Sequence, residues 1–115
     1  LFRSLVLVAS GSGIGPCLPV IYAKKVPCRI FWSTPHPEQN FGPEIIHAIK
    51  EADPQAVIHN TKTQGRPDMV AITYRLLRES NAEAVAIISN KKLTQMVVYA
   101  MEARGIPAFG AIFDS

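Results

Sequence analysis

Residues 5 to 16 read Leu-Val-Leu-Val-Ala-Ser-Gly-Ser-Gly-Ile-Gly-Pro. A short apolar run rich in Val and Leu breaks into a loop with glycine at positions 11, 13 and 15, and a helix-like stretch follows. This is how a buried parallel strand feeds a turn that cradles phosphate, with the N–H groups of the next helix aimed at the same place. Gly11, Gly13 and Gly15 admit positive φ and close approach of backbone to a ligand. The same turn also exists bare, as a tight strand-to-helix link. The flanking strand and helix favour an anionic ligand over the bare turn.

Outward from this turn, apolar strands alternate with amphipathic helices. Ser4–Ala9 reads as a strand, and a short helix runs from Pro16 to about Lys24, opening on a proline where a missing N–H costs nothing. Cys28–Ser33 is a second strand and Thr34–Phe41 a loop. Pro43–Ala52 is a helix with Ile45, Ile46 and Ile49 on its apolar face, stopped by Asp53-Pro54. Ala56–His59 is a third strand and Asn60–Pro67 a polar loop. Asp68 caps a helix running to about Ser80. Ala84–Ser89 is a fourth, fully apolar strand, Leu93–Ala103 a helix ended by Gly105, and Pro107–Phe113 a last strand. The strands lack period-two polarity, so both faces of the sheet are expected to be covered. Five strands crossed over by four helices predict an α/β domain: a three-layer, doubly wound, five-stranded parallel sheet of Rossmann-like type. Ligands of such sheets bind past the carboxyl ends of the strands, where strand order reverses. That selects residues 10–16, 33–41, 60–66 and 89–93.

The 115 residues make one domain, expected to be the C-terminal part of a longer protein. With 48% apolar residues a real core can form, but no apolar run approaches the ~20 residues that span a bilayer. No secretory leader is legible. The net charge is +3 and the basic residues are scattered; Lys24–Lys25 and Lys91–Lys92 read as solvated surface, and no nucleic-acid partner is expected. Cys17 and Cys28 read as reduced thiols of an intracellular protein on the cytoplasmic side. His36, His47 and His59 lack metal-ligand spacing, so no metal is expected.

The glycine loop is not the dehydrogenase fingerprint. The third glycine of that pattern would stand at Pro16, and no acid follows the second strand, which ends Ser33-Thr34-Pro35-His36. It is not a P-loop either, because no Gly-Lys-Ser/Thr follows. Gly11-Ser12-Gly13-Ile14-Gly15-Pro16 instead resembles the Gly-Thr-Gly-Ile-Ala-Pro motif of the ferredoxin–NADP⁺ reductase superfamily. Arg29–Ser33 with Pro43–Ile46, and Gly65-Arg66-Pro67-Asp68, are similar to that superfamily's second strand-helix unit and to the Gly-Arg segment opening its third helix. Ile88-Ser89-Asn90 and the ending Ile112-Phe113-Asp114-Ser115 resemble the reductase-like C-terminal region of fungal membrane oxidoreductases and of fungal adenylate-forming, peptide-synthetase-like enzymes.

The resemblance implies the NAD(P)H-binding half of a flavin-dependent oxidoreductase. In the superfamily a separate barrel domain of the same parent chain binds FAD, and hydride passes from nicotinamide to flavin. The chain alone is then expected to be inactive. The resemblance puts Gly11, Ser12, Gly13, Ile14, Gly15 and Pro16 near pyrophosphate and nicotinamide, and Thr61, Lys62 and Arg66 near the adenosine ribose. Ser33, Ser89 and Asn90 complete the candidate cofactor contacts. Asn60 stands where NADH-preferring members carry an acid, and Lys62 and Arg66 suit a 2′-phosphate, which favours NADP over NAD; solvated loop charge is the equal alternative. Ser89-Asn90 replaces the superfamily's Cys-Gly, so the catalytic position beside the nicotinamide falls on Ser89, whose hydroxyl is less polarizable than sulfur. Asn90 reads equally as the N-cap of the fourth helix. Two other functions follow from this departure: a non-catalytic docking domain with a degenerate site, and a binder of another nucleoside phosphate.

Four further side chains have two readings each. Cys17 is a buried small hydrophobe rather than a helix-terminal thiolate. Trp32 is core rather than a base-stacking platform, and His36 is solvated rather than a phosphate ligand. Phe109 and Phe113 are expected in the core, with a flavin-covering role for Phe113 as the alternative. Filling Gly13 is expected to abolish nucleotide binding.

Overall fold

The computed structural model describes residues 2–113. Leu1, Asp114 and Ser115 lie outside the described residues, so the last two positions of the terminal likeness are not placed. Five strands form one parallel sheet: β1 (Leu5–Ser10), β2 (Cys28–Thr34), β3 (Val57–Asn60), β4 (Ala84–Ser89) and β5 (Ala108–Ile112), in the order β3-β2-β1-β4-β5. The chain builds outward from β1 to β3, then crosses back to the other side of β1. Strand order therefore reverses between β1 and β4, the ligand-binding position in doubly wound sheets.

Four long helices cover the sheet: α1 (Ile14–Ala23), α3 (Pro43–Ala52), α5 (Met69–Ser80) and α6 (Lys91–Glu102). Two single-turn helices, α2 (Pro37–Phe41) and α4 (Thr61–Gln64), fall inside segments that read as loops. Each is too short for helical periodicity to show. The helix after the glycine turn starts at Ile14 rather than Pro16, because a 3-10 turn over Gly11–Gly13 runs straight into it. Likewise α6 starts at Lys91, with Asn90 as its N-cap: Asn90 Oδ1 accepts the Leu93 N–H at 2.9 Å. Asp68 caps α5 as expected, accepting the Ala71 N–H at 3.0 Å.

Strand alternation divides the core in two. Val6, Val8, Phe31, Val85 and Ile87 point to one face and pack with Met69, Leu76, Val97 and Met101 of α5 and α6. Leu7, Ala9, Ile30 and Trp32 point to the other and pack with Ile14, Cys17, Ile21 and Ile49 of α1 and α3. Three central strands are thus covered on both faces. β5 is not: Phe109 and Ile112 are exposed, as is Phe113 just after it, and Ile112 shares a surface hollow with the exposed Tyr99 of α6. The expected core positions of Phe109 and Phe113 are therefore corrected. An edge strand with one neighbour is buried on fewer sides, and the apolar character of β5 does not reveal this. Phe109 stacks on Phe2 at 5.9 Å between ring centroids.

Asp53 does more than stop α3. Its carboxylate is buried and accepts the Ile30 N–H at 2.9 Å, the Gln55 N–H at 3.0 Å and the Arg29 Nε–H at 3.2 Å. It ties the α3–β3 link to β2 just before β2 and β3 begin to pair at Phe31 and Val57.

Candidate functional site

A cleft of about 650 Å³ opens at the carboxyl ends of the strands. Ser10 and Gly11 line it where β1 ends, Ser33, Thr34 and Pro35 where β2 ends, and Thr61 just after β3. Arg66 and Pro67 of the α4–α5 link and Met69 at the start of α5 close one side. Asn90, Lys91, Lys92 and Leu93 close the other from the start of α6. Five candidates from the sequence thus meet in one cleft: Gly11, Ser33, Thr61, Arg66 and Asn90. Ser12, Gly13, Ile14, Gly15, Pro16, Lys62 and Ser89 do not line it.

The three glycines have three different jobs. Gly11 alone of them has positive φ, at +55°. Gly13 is helical in φ and ψ and fully buried; a Cβ there would lie 2.5 Å from the backbone oxygen of Ile88. Its close approach is to β4, not to a ligand. Gly15 and Pro16 are exposed in the first turn of α1, and a Cβ on Gly15 meets nothing within 4 Å. The expectation that all three glycines serve positive φ is corrected accordingly.

Ser89 is buried at the end of β4, and its hydroxyl is hydrogen-bonded to the Ser10 hydroxyl across the point where strand order reverses. Asn90 spends its side-chain carbonyl on the α6 cap. Asn60 does the same for α4, its Oδ1 accepting from Lys62 N–H at 3.0 Å and from His36 N–H at 3.2 Å. That second bond holds His36 at φ +43° on the rim of a separate hollow of about 210 Å³. Lys62 is exposed on α4.

Lys91 and Lys92 line the cleft, though their adjacency in sequence reads as ordinary surface. The signal that finds them is position: both lie in the 89–93 segment past the end of β4, which the strand order selects. Together with Arg66 they give the cleft three cationic side chains, and among the described residues no Asp or Glu lines it. Among the described residues none of the three is in an ion pair. Four hydroxyl-bearing residues, Ser10, Ser33, Thr34 and Thr61, also line the cleft. Cationic groups without acidic neighbours, with hydroxyls between them, suit a ligand carrying phosphate.

Cys17 is buried against Gly13, its thiol directed at the Gly13 carbonyl at 3.4 Å. Burial, with a smaller contribution from Cys28, pushes its pKa up to about 12. It is a packed thiol and not a thiolate. Trp32 is fully buried, its ring meeting Phe41 edge-on at 4.9 Å, so it offers no face to a base. Among the described residues no cluster of three or more His, Cys, Asp and Glu could hold a metal, and no helix is long and apolar enough to cross a membrane.

Fold and cleft together define an α/β domain of the doubly wound, Rossmann-like class. The same fold occurs in the C-terminal domain of a Pyrococcus furiosus hydrogenase, with a TM-score of 0.71 at 11% identity over 94% of this chain and 90% of that one. The family model of the adenylate-forming reductase 03009 C-terminal domain matches residues 1–115, and the chain belongs to that family. It is 56% identical to adenylate-forming reductase 03009 and 54% identical to adenylate-forming reductase 06235, both of Coprinopsis cinerea, over its whole length. It spans 11% of the length of each of these curated relatives.

Proposed function

We propose that the cleft is a nucleotide seat and that the chain is the pyridine-nucleotide-binding part of a flavin-dependent reductase. The observation that carries this reading is the set of three cations, Arg66, Lys91 and Lys92, unopposed by acid among the described residues, in a cleft at the reversal of strand order. The resemblance of residues 11–16 to a reductase motif and the reductase names of the relatives support it. The donor set fits a dinucleotide: cations for its phosphates on both sides, hydroxyls for its ribose oxygens, and apolar Leu93, Met69 and Pro67 for its rings. The chemistry such a cofactor supplies is hydride donation to a flavin, which the superfamily resemblance assigns to a barrel outside this chain. The chain's own work is to hold and orient. Arg66 presents a planar fork to a 2′-phosphate, which favours NADPH over NADH, and Lys91 and Lys92 neutralise the diphosphate. Ser89, tied to Ser10, braces the floor of the seat rather than reaching into it.

Calorimetric titration of NADPH, NADH and AMP into the 115-residue chain tests the reading. NADPH is expected to bind tightest. Arg66→Ala should narrow the NADPH-to-NADH ratio by roughly tenfold, the worth of a hydrogen bond to a charged group. Lys91→Ala with Lys92→Ala should weaken both dinucleotides alike. Binding of AMP as tight as that of NADPH would point to another nucleoside phosphate. No binding of any of the three would sink the nucleotide reading. One observation favours the docking alternative: β5 leaves Phe109 and Ile112 exposed, Ile112 sharing a surface hollow with the exposed Tyr99 of α6.

A further inference from the structure

Trp32 is the single tryptophan of the chain. It lies on β2 in register with Ala9 of β1 and is fully buried. A buried indole needs an acceptor for its N–H. Trp32 Nε1 donates to the carbonyl of Gly11 at 2.9 Å. The same carbonyl accepts the N–H of Ile14, where α1 begins. Gly11 is the residue of the turn with positive φ, and alone among residues 11 to 16 it lines the cleft.

Glycine tolerates φ of either sign about equally, so tolerance alone does not hold Gly11 at +55°. Two hydrogen bonds converging on its carbonyl do. One comes from the helix the turn opens. The other comes from a ring that cannot swing, because Phe41 meets it at 79° and 4.9 Å. We propose that Trp32 is a positioning residue of the cleft: its indole N–H fixes the Gly11 peptide, and with it the wall against which a dinucleotide phosphate lies. This rests on the nucleotide reading above. Core packing alone would ask only for a large flat ring at position 32, whereas positioning asks for the N–H.

The test separates ring from donor. β-(3-Benzothienyl)alanine at position 32 keeps the bicyclic shape and replaces the N–H with sulfur; Trp32→Phe is the second variant. Three readouts apply: NADPH affinity by calorimetry, amide hydrogen exchange at Ile14 and Ile21, and the urea midpoint. In the benzothienyl variant NADPH affinity is expected to fall roughly tenfold, the loss of one buried hydrogen bond. Exchange at Ile14 should quicken while Ile21, deeper in α1, stays protected, and the urea midpoint should fall by no more than one hydrogen bond accounts for. Affinity within twofold of the unmodified chain, in either variant, overturns the proposal. In the unmodified chain the sole tryptophan's emission should change as NADPH saturates; an unchanged emission also overturns it. If the unmodified chain binds no NADPH, the nucleotide reading fails by itself. Exchange at Ile14 then decides the brace: unchanged protection in the benzothienyl variant overturns it, and selective loss there upholds it.

Discussion

Gly13 and Gly15 stand two residues apart in one motif, and alanine at the two positions should have opposite effects. At Gly13 an added Cβ falls 2.5 Å from the Ile88 carbonyl oxygen and 3.2 Å from its carbon. Ordinary contact begins at 3.4 Å, so α1 and β4 must part by 3.4 − 2.5 = 0.9 Å. Both sides of that contact are main chain at the centre of the sheet, where no flexible side chain can yield. Overpacking a rigid site costs about 1–3 kcal/mol, and this site belongs at the upper end. At Gly15 nothing lies within 4 Å and the backbone is helical, so alanine should stabilise by roughly 0.5–1 kcal/mol by restricting the unfolded chain. The two variants should therefore differ by about 3–4 kcal/mol in urea unfolding followed by far-UV circular dichroism. Gly13→Ala within about 0.5 kcal/mol of the unmodified chain would refute the close-approach argument. So would an equal loss in Gly15→Ala, which would mean that the motif is sensitive throughout for some other reason. A Gly13 substitution reports on folding first, so lost nucleotide binding in Gly13→Val would not identify a contact.

Two further outcomes follow from the core. Asp53→Ala should cost about 2–4 kcal/mol in urea unfolding, because the buried Ile30 N–H loses its acceptor and Arg29 its partner; a loss under about 1 kcal/mol would contradict the anchoring role. Cys17 should resist thiol reagents in the native chain at pH 8, since its pKa is raised from 9.0 to about 12. The sign for stability follows from the same shift: below about pH 9 the thiol stays protonated in both states, and above it the unfolded chain gives up the proton first. Stability should fall from pH 9 upward, and fall less steeply in Cys17→Ala; equal slopes would remove Cys17 as the cause.

The sheet was legible because its central strands carry short apolar runs without period-two polarity and its caps are explicit. Asp68 and Asn90 sit where their side chains can reach the third N–H beyond them, and both do so. The single-turn helices were not legible, since four or five residues carry no 3.6-residue period. The exposure of Phe109 and Phe113 was hidden for a different reason: side-chain polarity reports burial, and β5 is apolar without being buried. At the site, residue type identified where a ligand could sit but not which atoms face it. Ser89 turns to Ser10 and Gly13 to β4, choices made by neighbours distant in sequence, while Asn90 turns to its own helix. Lys91 and Lys92 read as solvated because a lysine pair is common on any surface, and only the strand end before them gives the pair meaning.

The Ser10–Ser89 hydroxyl bridge and the seating of Gly13 on Ile88 both fall on the seam between β1 and β4. That seam is latched twice, once by hydroxyls and once by backbone against backbone. A ligand therefore cannot gain room by spreading the sheet beneath it. Any give must come from the far bank, where residues 61 to 67 form a one-turn helix and a proline-ended link carrying Arg66. Discrimination between ligands is accordingly a property of that bank, and substitutions there should retune what the cleft accepts while the floor keeps its shape.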